Sequence, residues 1–514
     1  MNLKTLPAAV LSGILMTAIF PAINLGMLAW VCLVPLLFSV EKKGPYQSLL
    51  LGCITGTVFN CGLVYWVVVS MTTYGELSFF VAGALLFFLS VFLGFFVAVP
   101  VCLSSFVKKT LGLDFFVTLP FFWTACEHIK SWFLTGFPWE NLGYAQFQYH
   151  RVIQIADITG VYGITFLIVL TNGALFCLLK AIFLKQKPPL AGTALTAVLI
   201  GAILVYGGYR INEYNQPGVR GKQLKVFIVQ PSIPQNVKWD GDYLDETLRV
   251  LRRITLQGAF FHPDIVLWPE SSTPFYFQSE AVYKKHVRDT VVKSGAYLLF
   301  GSPAWERNDK QTAYFNSAFL LSPQSTIMDR YDKIHLVPYG EYVPLKKLFP
   351  FINKMVAGIG DFSPGRQPKN LCISDQCLAT LICYEIIFPD LVRRFTKDGA
   401  HFLVNITNDA WFGRTSAPYQ HLSMAVLRAV ENKRYLVRAA NTGISACIDP
   451  TGVILQQSKL FTQEGLPAII FSVTEQTFYT CYGDIFAFLC YGISILLIFP
   501  TRIQHRQKPV IRTM

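Results

Sequence analysis

Charge is what this sequence has least of. Only 15% of its 514 residues are Asp, Glu, Lys or Arg, against roughly a quarter in an average soluble domain. Other absences narrow the reading further. No Cys-x-x-Cys pair and no Cys/His zinc spacing occurs, and His262, His286, His335, His401 and His421 are scattered, so no metal is expected. Nothing signals a soluble cofactor. The net charge of +13 is not gathered into Lys/Arg clusters beside a nucleic-acid motif, so no nucleic-acid partner is expected. The first apolar segment has no clear small-x-small cleavage site and a second follows at once. It reads as a retained helix rather than a signal peptide.

What is abundant is apolar surface, at 53% of residues, and it is unevenly spread. Residues 1–211 are apolar with polar islands, 212–479 read as an ordinary soluble α/β domain, and 480–514 hold a last apolar run and a basic tail. A spanning helix needs about 20 apolar residues. Candidate spans are 6–20, 23–39, 46–70, 79–106, 115–128, 160–184, 190–209 and 482–500, about eight in all. Alternate loops carry Lys42 and Lys43, Lys108 and Lys109, Lys180 with Lys185 and Lys187, then Arg502, Arg506, Lys508 and Arg512. The opposite loops hold little beyond Lys130, Arg151 and Arg210. Basic loops stay in the cytoplasm, so both termini are expected there and the soluble domain outside. The loop from Gly136 to Gln146 falls on that outer side, either as an interfacial anchor or as part of an active-site mouth.

Within the soluble region strand-like runs alternate with amphipathic helices. Strands are expected at 225–230, 265–268, 297–301, 317–321, 379–382, 402–406, 443–448 and 468–473. Helices are expected at 243–257, 279–294, 389–398 and 418–433. Three strand ends or loops hold candidate chemistry: Trp268-Pro-Glu270, Lys333 with Glu341 in a Pro/Gly-punctuated loop, and Ile382-Cys383-Tyr384-Glu385 before a helix. Each has a plain structural alternative. A carboxylate after proline can serve a helix N-terminus, a loop lysine is usually solvated, and a cysteine after an apolar strand is usually core. Spacing alone does not join them.

The segments resemble the nitrilase superfamily, and within it most closely the apolipoprotein N-acyltransferase family. The resemblance rests on Glu270 in Trp-Pro-Glu, Lys333 in Tyr-Asp-Lys-Ile-His-Leu and Cys383 in Cys-Tyr-Glu. It extends to Gln230-Pro-Ser-Ile-Pro-Gln, Lys238-Trp239, Leu336-Val-Pro-Tyr-Gly-Glu341, Asn408-Asp-Ala-Trp-Phe-Gly413, Arg438-Ala-Ala-Asn-Thr-Gly443 and Gly136-Phe-Pro-Trp139. One departure is Cys481, where that family would lead one to expect a basic residue. The resemblance implies an αββα sandwich domain inserted in an all-α transmembrane bundle, in the bacterial inner membrane with the catalytic domain periplasmic. It implies a Glu270/Lys333/Cys383 triad, with Glu341, Tyr384 and Glu385 orienting it and Trp239 near the substrate. A phospholipid acyl donor and a diacylated apolipoprotein acceptor follow, served by a monomer. Trp239 and the stretch 345–360, with Phe349 and Phe351, are expected as lids, the stretch being alternatively a surface helix packed on the domain.

Most of the twelve cysteines sit in or beside apolar spans. Cys372 and Cys377 flank a turn-like stretch in the outer domain, where an oxidising compartment permits but does not dictate a bridge. Two rivals share these residues: a membrane-tethered amide or nitrile hydrolase with water as acceptor, and a non-catalytic scaffold retaining the fold.

Overall fold

A computed structural model describes residues 5–506 except 186, 189, 217, 309–310 and 343–360. The expected lid at 345–360, including Phe349 and Phe351, therefore lies outside the described residues. The chain forms two compact units: Met1–Tyr65, Phe79–Tyr209 and Tyr482–Met514 make one, Trp66–Ser78 and Arg210–Cys481 the other.

Among its described residues the second unit has twelve strands: β1 (Gln223–Gln230), β2 (Ile265–Leu267), β3 (Tyr297–Asn308), β4 (Gln311–Leu321), β5 (Ile327–Asp332), β6 (Leu371–Ile373), β7 (Gln376–Ile382), β8 (Phe402–Thr407), β9 (Leu436–Ala440), β10 (Ala446–Ile448), β11 (Ile454–Gln457) and β12 (Glu464–Phe471). They form two six-stranded sheets in the orders β12-β1-β2-β3-β4-β5 and β11-β10-β9-β8-β7-β6. Each has three parallel central strands, β1-β2-β3 in one and β7-β8-β9 in the other, flanked by antiparallel ones. Strands β2 and β8 are buried throughout, as parallel strands covered on both faces must be. The sheets pack together where β1 meets β9 and β4 meets β7.

Helices cover the outer faces. Leu244–Gln257 starts with Asp245 and Glu246, which suit a helix N-terminus. Its Leu244, Leu248, Leu251 and Ile254 lie three or four apart and fall on one face. They pack on Phe227, Val229, Val266 and Trp268. Ala281–Ser294 stops at Gly295, whose φ of 68° suits glycine. Pro389–Lys397 and Ala417–Asn432 belong to the second sheet; both begin with proline in the first turn, where its missing N–H costs nothing. The α/β expectation holds, and each strand foreseen from apolar runs overlaps an observed one, though 443–448 shortens to β10, 265–268 runs one residue past β2 and 468–473 two past β12. Strands β5, β6, β9 and β11 were not foreseen. Charged Asp329 and Arg330 mask β5, and Arg438 masks β9, although β9 is wholly buried.

In the helical unit, Phe79–Leu111, Val161–Phe183 and Leu190–Tyr214 are long and apolar enough to cross a membrane. Pro45–Leu63 with Trp66–Thr73 makes a fourth only if the pair, bent by 55°, counts as one span. Leu6–Ala18, Gly26–Val40 and Ile485–Phe499 are shorter. About eight full-length spans, as composition suggested, are therefore not what length and hydropathy give among the described residues. Two departures have clear causes. The expected span 23–39 is a 3-10 turn, Gly26–Trp30, then a helix, Val34–Val40. Pro35 sits in that helix's first turn, so the helix restarts there, and the free Leu33 N–H donates to Asn172 Oδ1 at 2.8 Å. The expected span 46–70 breaks because Trp66–Thr73 finds partners in the second unit: Trp66 Nε1 donates to Gln420 and Ser70 Oγ to the Trp411 carbonyl. Close packing within the bundle rests on small residues: a Cβ on Gly56 would lie 2.6 Å from the Gly94 Cα. In the loop from Gly136 to Gln146 both Trp139 and Tyr144 are buried.

Leu251 is fully buried between its helix and the first sheet. Leu251→Ala should cost about 2–5 kcal/mol through lost transfer energy and the cavity left behind. The measurement is the thermal midpoint of the purified protein, which should fall clearly; an unchanged midpoint would contradict this packing.

Candidate active site

Glu270 follows β2 by three residues, Lys333 follows β5 directly and Cys383 follows β7 directly. Strand ends that lie far apart in sequence thus deliver the three groups. Lys333 Nζ lies 3.5 Å from Glu270 Oε1 and 2.9 Å from Glu341 Oε2. The Asn316 side-chain amide donates to Glu270 Oε1 at 2.8 Å and to Glu341 Oε1 at 2.7 Å. The Asn316 carbonyl accepts the Lys333 N–H at 2.9 Å, so one residue of β4 aligns both carboxylates and the lysine. Sequence reasoning missed Asn316, because a lone polar residue in an apolar run carries no motif.

Lys333 is almost wholly buried. Burial alone would lower its pKa, but Glu341, Glu270 and Cys383 outweigh it and hold the ammonium above the usual lysine range. Cys383 is buried too, and its φ of 53° is left-handed. That geometry is costly for a residue with a Cβ and persists only where surroundings impose it. It turns the chain from β7 into the 3-10 turn Cys383–Ile387. Burial, then Glu270, pushes the thiol up to about 12, while Lys333 and a hydrogen bond with Thr407 pull it down. The resting sulfur is a neutral thiol.

Glu385 joins the lysine loop to the cysteine turn. Its Oε1 accepts from Tyr331 OH and the Ile334 N–H, both at 2.7 Å, and from the His335 N–H at 3.1 Å. Its Oε2 accepts from the Ile382 N–H at 2.8 Å. Burial raises the carboxyl to about 7, against the pull of these donors and of Lys333. Glu341 also accepts the Val337 N–H at 2.8 Å. Tyr384 is buried, its ring 5.1 Å from Phe388 and 5.8 Å from His335. Trp239 is exposed, while its neighbour Lys238, singled out only as part of a motif, is buried and donates to the Glu270 carbonyl at 3.1 Å.

Beneath the cysteine lies a polar cluster that spacing could not reveal. Arg438 pairs with Asp409 Oδ2 at 2.7 Å, and His421 Nδ1 and Thr407 Oγ1 each lie 3.1 Å from Asp409 Oδ1. Burial would raise the Asp409 carboxyl, but Arg438 and His421 hold it well below the usual range. Asn405 donates to the Cys383 carbonyl at 3.3 Å. Among the described residues no group of three or more His, Cys, Asp and Glu could hold a metal ion. Elsewhere in the unit, Cys372 and Cys377, paired across β6 and β7, are joined by a disulfide.

The two-sheet sandwich, with a cysteine on a strained strand-to-helix turn beside buried Glu and Lys, defines a nitrilase-type α/β protein. The model for the carbon-nitrogen hydrolase family matches residues 226–477, and that for the apolipoprotein N-acyltransferase N-terminal domain matches 12–174. A protein of Geobacter metallireducens named apolipoprotein N-acyltransferase is 42% identical, over 94% of this chain and 92% of its own. One of the same name from Chlorobaculum tepidum is 30% identical, over 96% of each. Among solved structures an amidase from Nesterenkonia sp. is similar over 52% of this chain and 95% of its own, at 19% identity and a TM-score of 0.37. The chain belongs to the apolipoprotein N-acyltransferase family, and it is an acyltransferase.

The charges round Cys383 make opposite predictions for two substitutions. Glu270→Gln removes a negative neighbour, so the thiol should titrate at lower pH; Lys333→Met removes a positive one, so it should titrate higher. On the rising limb each should change the iodoacetamide alkylation rate of Cys383 on the order of tenfold, which is about 1.4 kcal/mol. Peptide mass spectrometry across pH reads this, and two curves superposed on the unsubstituted protein's would refute the electrostatic account.

Proposed function

We propose that the chain moves a fatty acyl group from a membrane phospholipid, through a thioester on Cys383, to the α-amino group of the N-terminal S-diacylglyceryl-cysteine of a lipoprotein. The observation that carries this reading is the convergence of a buried thiol with a Glu270–Lys333–Glu341 ion cluster at three strand ends. The relatives' shared name supplies the acceptor class.

In the first half-reaction Glu270 takes the Cys383 proton and the thiolate attacks the ester carbonyl. Lys333 and the N–H of Tyr384 face the oxyanion that develops. The intermediate collapses, the C–O bond to glycerol breaks, and Glu270 returns its proton to the departing alkoxide, leaving a thioester and a lysophospholipid. In the second, the amine attacks the thioester and Glu270 accepts a proton from nitrogen. The C–S bond breaks, and the proton goes back to sulfur as the amide leaves. The resting thiol, raised to about 12, explains why a base is needed; a free thiol near 8.5 would already be partly ionised at neutral pH. Glu341 and Glu385 hold the lysine and cysteine loops, Tyr384 shapes the wall, and Trp239 meets lipid.

The same proposal assigns residues 1–211 to an N-terminal transmembrane bundle, 212–479 to the catalytic domain and 480–514 to a last span with a cytoplasmic tail. The shorter apolar helices, together with Phe115–Lys130, act as further spans, which restores about eight. Support for the topology comes from Lys108 and Lys180, which both pair with Glu41, so loops read as cytoplasmic share one end of the bundle. Both termini are then cytoplasmic, the catalytic domain is periplasmic, and the enzyme works as a monomer.

Purified protein mixed with phospholipid should carry an acyl adduct on Cys383 by mass spectrometry, discharged by a diacylated lipopeptide. Cys383→Ala should abolish the adduct. Glu270→Gln and Lys333→Ala should slow turnover by about 100-fold or more, the usual scale for losing a positioned base or an oxyanion partner. A normal thioester on Cys383→Ala protein, or release of free acid alone with the lipopeptide present, would sink the proposal.

A further inference from the structure

Two lysines, not one, are buried at this site. Lys333 is compensated by Glu270 and Glu341. Lys238 is 2% exposed, and its one hydrogen bond among the described residues is the 3.1 Å bond to the Glu270 main-chain carbonyl. No carboxylate lies within ion-pair distance of it among those residues, so donor capacity remains unspent in a dry place. Its loop is pinned to the second sheet. Ile233 exchanges two hydrogen bonds with the Asn441 side chain, at 2.9 and 2.8 Å, and Gln235 accepts from Asn408 at 2.6 Å.

A carbonyl needs only a neutral donor, and burying an ammonium is costly. What the ammonium adds is charge, and a charge count shows where it is needed. Glu270 and Glu341 carry two negative charges against one positive on Lys333. A fourth group, positive, brings the set to neutrality.

We propose that Lys238 is a positioning residue that fixes Glu270 through its backbone carbonyl and balances the negative charge passing between Glu270 and the Cys383 sulfur. This rests on Cys383 being the nucleophile. When Glu270 takes the thiol proton, one negative charge leaves the carboxylate and appears on sulfur, then on the carbonyl oxygen of the donor ester. Lys238 keeps its protons throughout. The groups whose charge reaches it are Glu270, after β2, and Cys383, after β7; Lys333 and Asp409 in turn act on Cys383, and Glu341 on Lys333. Burial lowers the Lys238 pKa to about 8, with Glu270 and Cys383 opposing, so the balance weakens as pH rises through that range.

The test uses the full chain in detergent micelles with a dipalmitoyl phospholipid. Lys238→Gln keeps an N–H for the carbonyl and removes the charge; Lys238→Arg keeps the charge. Single-turnover thioester formation on Cys383 is timed, and its iodoacetamide alkylation is followed across pH. Lys238→Gln should form the thioester about tenfold more slowly or worse and shift the alkylation curve to higher pH, while Lys238→Arg recovers most of both. Lys238→Met replaces the Gln variant if its melting curve shows misfolding. A neutral variant with the unsubstituted rate and curve overturns the proposal. So does a slow variant with an unshifted curve and no rescue by arginine, since that is packing alone. A wild-type protein that forms no thioester on Cys383 would instead sink the reading underneath.

Discussion

An ammonium sealed from water must be answered by negative charge, and Lys333 is the place where this chain meets that demand. Its head group sits between Glu270 and Glu341 with Asn316 bridging the two carboxylates. Breaking a buried pair by removing one partner typically costs 3–5 kcal/mol. The positions of three strand ends are therefore constrained together: β2 must end near Glu270, β5 at Lys333, and β4 must present Asn316 between them.

The second sheet adds the sulfur. Cys383 stands in a strained conformation after β7, and such strain needs neighbours that leave it no alternative. Those neighbours are visible. Glu385 gathers four donors from the cysteine turn and the lysine loop, and Asn405 holds the Cys383 carbonyl. The Asp409–Arg438–His421 cluster sits below with its charges matched. The polar groups named here orient one another, and unpaired in a dry region they would be a liability.

The break after Pro45–Leu63 has a structural purpose that extends this logic. Trp66–Thr73 leaves the apolar path and packs on the 3-10 turn Asp409–Phe412, with Trp66 against Phe412 and Tyr74 against Trp411, ring centroids 4.7 and 4.9 Å apart. That turn begins with Asp409, which balances Arg438. A piece of the apolar half of the sequence thus completes the α/β unit, which is why composition alone puts the boundary elsewhere than the folded contacts do.

The division into apolar and soluble regions, the alternation of strands and helices, and the strand-end positions of Glu270 and Cys383 were legible in the sequence. They follow from local rules: apolar run length, helical periodicity, and proline or glycine at element ends. Charged strands such as β5 and β9 were not legible, because the partners that make Arg438 tolerable in a core, Asp409 and His421, come from a turn and a helix elsewhere in the chain. Nor was the bond between Cys372 and Cys377, which needed the register of β6 on β7. Asn316, Lys238 and Asp409 escaped for the same reason. A residue type and its neighbours along the chain set what a side chain can do, but whether a lysine is solvated or buried beside a carboxylate depends on segments tens to hundreds of residues away. The sequence by itself determined most of the elements and the chemical types at their ends; only the tertiary structure decided which of those ends share one dry, charge-balanced space, because long-range contacts alone set burial and electrostatics.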